Sequence, residues 1–126
     1  MKNFVIILSV IFSFTTCSYN SNENDENTII GAWTLIKFEP GFSPVENFNE
    51  GKILWEFQKN GILNITIDTS ISSTPIKSGG SYKYSLTGSR ILIGNTQYDY
   101  EFKNSFLIIS DNPSADGFRA EFSPVR

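Results

Sequence analysis

Ile53-Leu54-Trp55-Glu56-Phe57-Gln58-Lys59-Asn60-Gly61-Ile62-Leu63-Asn64-Ile65-Thr66-Ile67 is the stretch whose turn decides the fold. Apolar residues recur at every second position on both sides of Lys59-Asn60-Gly61, the period of a strand with one buried face. A two-residue Asn-Gly turn would set Phe57 opposite Asn64 and Glu56 opposite Ile65, mixing the faces. A three-residue loop sets Phe57 opposite Leu63, Trp55 opposite Ile65 and Ile53 opposite Ile67. Only that register keeps the apolar set on one side. A type I turn with Gly61 left-handed in a bulge is therefore expected.

Working outward, the same alternation continues to both ends of the region 29–126 and predicts eight strands: about 30–39, 52–58, 62–69, 81–87, 90–93, 96–102, 105–110 and 117–123. Tyr82, Tyr84 and Leu86 share one face, as do Tyr98, Tyr100 and Phe102, and Phe118, Ala120 and Phe122. A turn at Gly88-Ser89 pairs Leu86 with Ile91 and Tyr84 with Ile93. A turn at Gly94-Asn95 pairs Ile91 with Tyr98. An even loop near Asn104 sets Tyr100 against Leu107 or Ile109. Every turn joins sequence neighbours, which makes an antiparallel meander. The long connections 40–51, 70–80 and 110–117 all emerge at one end. The turns at Gly61, Gly88 and Asn104 emerge at the other. That asymmetry suits an all-β, eight-stranded up-and-down barrel with a tight base and a loop-fringed mouth.

Composition narrows the chemistry. The 126 residues carry a net charge of −3, which gives no electrostatic footprint for nucleic acid. Histidine is absent, so Ser-His-Asp and Cys-His catalysis and His-Cys zinc sites are excluded. The carboxylates Glu56, Asp68, Asp99, Glu101 and Glu121 fall mainly on the wet face, where nothing shifts their acidity for acid–base work. Asp111 and Asp116 match no calcium-loop spacing. No catalytic residue, metal ligand or cofactor is expected, and the protein reads as a non-enzyme. A single cysteine forms no internal disulfide, so stability must come from packing.

That cysteine, Cys17, stands where the apolar run Phe4–Phe14 gives way to a polar tract. Lys2 supplies a positive start, and the run is too short to span a bilayer comfortably. With Thr15-Thr16 before Cys17, the segment resembles the lipobox of bacterial lipoproteins, although Phe14 and Thr16 depart from the residues usual there. The resemblance implies cleavage after residue 16 and a lipid on Cys17. Residues 1–16 are then the signal peptide and 17–28 the lipid-bearing cysteine and a polar, flexible tether. The expected location is the cell envelope, on the outer membrane of a Gram-negative bacterium, with surface exposure open.

Gly31-Ala32-Trp33 at the head of the first strand matches the Gly-x-Trp signature of lipocalins. Together with the order of the turns, it makes the region from Ile30 to Val125 resemble the small lipocalin-like domains of bacterial lipoproteins. The resemblance implies Gly31 and Trp33 as structural signature residues. It also implies a cation near the end of the last strand packing across the tryptophan, for which Arg119 is the candidate.

Two functions follow as expectations. The first is binding of a small hydrophobic or amphipathic ligand at the open end. Lys37 and the lid-like Phe42 and Phe48 would stand at the mouth, and Tyr82, Tyr84, Tyr98 and Tyr100 would turn hydroxyls toward a polar ligand group. The alternative is an envelope interaction module whose barrel is filled by side chains and whose partner is a protein. A monomer held to the membrane through Cys17 is expected in both.

Overall fold

The computed structural model describes residues 29–71, 73–111 and 117–125, and the region holding Cys17 lies outside them. The regular elements are strands: β1 (Gly31–Glu39), β2 (Glu46–Asn47), β3 (Ile53–Phe57), β4 (Ile62–Ile67), β5 (Gly80–Thr87), β6 (Arg90–Ile93), β7 (Thr96–Lys103), β8 (Phe106–Ser110) and β9 (Arg119–Pro124). Each pairs antiparallel with its neighbour, and β9 returns to β1, closing an eight-stranded meander barrel to which the short β2 is appended. All of the barrel's ladders therefore close within residues 29–125.

The deciding hairpin has the expected register: Ile53 faces Ile67, Trp55 faces Ile65 and Phe57 faces Leu63. Gly61 is left-handed at φ 79°, and its amide donates to the Gln58 carbonyl at 3.2 Å. Leu86 pairs with Ile91, Tyr84 with Ile93, and Ile91 with Tyr98. The choice left open at Tyr100 resolves to Ile109, because Asn104 and Ser105 form a two-residue loop between Lys103 and Phe106. Both loop residues have positive φ, 52° and 69°, the sign pattern of a type I′ turn.

Two features of β1 differ from the eight-strand expectation. An irregularity between Leu35 and Lys37 inserts Ile36 into the β1–β9 ladder. The extra residue shifts the parity, so Trp33, Leu35 and Phe38 are all buried in the core. Beyond the stretch where β1 pairs β3, β2 takes up the same edge at Lys37 and Phe38. The loop thus blunts an edge that would otherwise carry unpaired backbone groups.

Large side chains pack the barrel interior. Trp55, Phe57, Phe122, Leu35, Ile53, Leu63, Ile91, Leu107 and Ile109 are fully buried. Trp55 packs tilted against Phe122 at 4.7 Å and Phe57 at 6.3 Å between ring centroids. Each such side chain stabilises the fold by roughly 1.5–3 kcal/mol through burial, which replaces the missing disulfides. An eight-stranded barrel is narrow enough for side chains alone to fill it. One group inside stays without a partner: the indole N–H of Trp55 has no acceptor among the described residues.

Candidate functional site

Both ends of the barrel are stoppered by the chain. At the base, Ile29 is fully buried and its carbonyl takes the Trp33 indole N–H at 2.8 Å. At the mouth, Ile71 and Ile76 from the connection 68–79 pack on the core, together with Phe48 and Phe118. Phe118 bridges Phe38 and Tyr98, with ring centroids 5.8 and 5.6 Å away. Asp68 fixes the start of the covering loop by accepting from the Ser70 amide at 3.0 Å and from the Ser70 hydroxyl at 2.8 Å, with Lys52 at 3.2 Å. The Ser70 amide is the leading cause holding this carboxyl down at about 2, followed by the Ser70 hydroxyl and Lys52.

The residues expected to gather at the mouth do not converge. The Tyr84 and Tyr100 hydroxyls reach base turns, donating to the Gln58 carbonyl at 2.7 Å and the Gly88 carbonyl at 3.1 Å. Tyr82 donates to the Ser78 carbonyl at 2.6 Å, on the mouth side. Tyr98 bonds the Thr96 side chain, and burial, as the main cause, raises its pKa. A shared cradle of four hydroxyls is therefore not formed, because backbone carbonyls of nearby turns satisfy three of them. Phe48 does cover the opening, its amide donating to the carbonyl of the inserted Ile36 at 2.9 Å. Phe42 does not: it is 83 % exposed on the 40–51 connection.

Arg119 is placed elsewhere than expected, whereas Lys37 stands at the mouth end of β1, opposite Asn47 of β2. In the β1–β9 ladder Trp33 faces Pro124 while Glu39 faces Arg119, so Arg119 is at the far end of the strand from the tryptophan. It lies 3.6 Å from both Glu39 and Glu121, and Lys37 lies 3.5 Å from Glu39. These four charges form one ladder on the outer wall. Among the described residues, the ring of Phe102 stands beside Trp33, with centroids 6.0 Å apart.

A well-formed cavity lies outside the barrel. It is a groove of about 700 Å³ on the outer wall, running over β3, β1 and β9 to the start of β8. Leu54, Phe106, Pro124 and Val125 give it apolar walls. Thr34, Glu50, Asn104, Ser105 and Ser123 supply its polar groups. Thr34 has outward parity between Trp33 and Leu35, yet it is only 2 % exposed. The end of the first long connection explains this, since the Gly51 amide donates to Thr34 Oγ1 at 2.9 Å. At the other end of the groove stand Asn104 and Ser105, the two left-handed residues without the freedom of glycine. The type I′ turn requires this backbone, which Asn adopts more readily than Ser. Sequence reasoning missed this groove, because its members are scattered over four strands, a loop and a turn and read singly as wet-face residues.

Carboxylates expected on the wet face are there, with Glu56, Asp99 and Glu101 exposed. Among the described residues no group of three or more acidic, cysteine or histidine side chains is placed to hold a metal.

Two solved structures share this architecture. A lipocalin-like protein from Bacteroides uniformis superposes with a TM-score of 0.56 at 18 % identity, covering 78 % of this chain and 99 % of its own. The fold is lipocalin-like. An uncharacterized protein from Bacteroides eggerthii gives a TM-score of 0.54 at 14 % identity, covering 76 % and 98 %. No protein-family model and no curated protein matches the chain. At such identities the likeness carries the lipocalin-like fold and leaves the site to be argued from its residues.

Proposed function

We propose that this lipocalin-like barrel is a lipid-anchored, non-catalytic binding module of the cell envelope that holds a small amphipathic ligand on its outer wall. The observation that carries the reading is the groove of about 700 Å³, set against an interior filled by Trp55, Phe57 and Phe122. That volume falls within the range of roughly 300–1,000 Å³ usual for small-molecule sites, and its mixture of apolar walls and a few polar groups is the usual lining. The anchor rests on the sequence alone: Lys2, the apolar run to Phe14 and the cysteine after Thr15-Thr16. Native mass spectrometry of the protein purified from its own host tests the binding. A co-purified small molecule is expected in the wild type and absent from Leu54→Trp, which fills the groove. An adduct that survives this substitution, or none in the wild type, contradicts the reading. For the anchor, a fatty-acid label is expected in the wild type and lost in Cys17→Ala.

Phe42 favours a second reading. An aromatic ring 83 % exposed, between Pro40-Gly41 and Ser43-Pro44, is suited to an envelope protein's pocket. On that reading Phe42→Ala abolishes a partner's cross-linking in intact cells and leaves the groove ligand in place.

A further inference from the structure

The groove's polar groups also constrain what it takes. Thr34 Oγ1 accepts the Gly51 amide, and the hydroxyl's own hydrogen has no acceptor among the described residues. Thr34 lines the cavity although the residue as a whole is only 2 % exposed, so a small movement of the Gly51 loop would offer that donor to a ligand oxygen. The carboxylate of Glu50 accepts hydrogen bonds only, and the Asn104 amide and the Ser105 and Ser123 hydroxyls both donate and accept. No lysine or arginine lines the groove among the described residues. Lys52, next to Gly51 in the chain, is engaged by Asp68 at 3.2 Å.

We infer that the groove takes a neutral amphipath whose polar head carries hydroxyl groups, and that it discriminates against carboxylate and phosphate heads. The inference rests on the groove being the ligand site. A hydroxyl on the ligand donates to Glu50 and accepts from Thr34, using both of its roles in one site. An anionic head would meet Glu50 without a counter-cation, and its desolvation would go uncompensated. The apolar part of the ligand lies against Leu54, Phe106 and Val125.

The test uses residues 29–126, which contain the whole closed barrel, and three probes of equal chain length kept below their micelle concentrations. These are octyl glucoside, octanoate and octylphosphate, each titrated while amide shifts are followed by NMR. Octyl glucoside is expected to move the Thr34, Gly51, Ser105 and Ser123 amides saturably, and the two anions to leave them at least tenfold less affected at equal concentration. Thr34→Val, nearly isosteric but without the donor, is expected to weaken glucoside binding about tenfold. Ser123→Ala, which leaves the Gly51 bond intact, is expected to weaken it about threefold. Anion binding equal to or tighter than glucoside binding overturns the head-group inference and leaves the groove as the ligand site. Saturable binding of none of the probes at these amides overturns both.

Discussion

The two sides of one barrel wall are built for different work. Facing inward, β3 and β9 present Trp55, Phe57 and Phe122, large rings with almost no exposed surface. Facing outward, the same strands present Leu54 and Ser123, small enough to leave a groove that a loop and a turn wall in. On the proposed function, alternation along a strand therefore separates stability from recognition residue by residue. A substitution on one face should leave the other nearly untouched.

The sharpest way to break that separation is inside. Trp55→Ala should remove about 3–5 kcal/mol of stability in chemical denaturation, because the surrounding rings collapse only partly into the space. Ligand binding to whatever fraction remains folded should be unchanged. On the outer face, Leu54→Trp should abolish binding while shifting stability by less than about 1 kcal/mol, since a half-exposed position meets little packing resistance. If Leu54→Trp unfolds the barrel instead, the two faces are coupled and the division fails. Ser105→Gly sharpens the comparison at the groove's end. Relief of a left-handed serine should raise stability by about 0.5–1 kcal/mol, while the loss of its hydroxyl weakens binding.

The mouth supplies a pH test that neither face should share. Asp68 has its folded pKa lowered to about 2, so its contribution is complete above the ordinary carboxyl value near 4 and is lost as pH falls through 2. Amide protection at Ser70 and Ile71, taken relative to the intrinsic exchange rate at each pH, should fall over that window in the wild type and be already low at neutral pH in Asp68→Asn. The smallest effect belongs to the charge ladder. Arg119→Ala should cost no more than about 1 kcal/mol, less at high salt, because all of its partners are partly solvated. A larger loss would return Arg119 to a structural role like that expected of it beside Trp33.

Much of this scaffold was legible in the sequence, and its legibility had a physical cause. In 53–67 a wrong turn length would have exposed every apolar side chain, so parity alone selected the register. Around Leu35-Ile36-Lys37-Phe38 the parity is ambiguous, because Ile36 is apolar too, and the inserted residue left no trace. Glu46-Asn47 is too short to alternate, and β2 went unseen. The candidate site was less legible. The tyrosines looked convergent because a sequence does not reveal which backbone carbonyls approach a hydroxyl, and here turn carbonyls reach three of the four. Thr34, Ser105 and Ser123 come to line one groove only once closure brings β9 beside β1 and the Asn104 turn beside both.

The central claim, that recognition occurs on the outside of a filled barrel, is tested most directly by isotope-filtered NOE spectroscopy with bound octyl glucoside. The methyls of Thr34, Leu54 and Val125 should show ligand contacts, and those of Leu63, Leu107 and Ala120 should show none. Contacts from the ligand to Leu63, Leu107 or Ala120 would contradict the account and place the ligand inside the barrel.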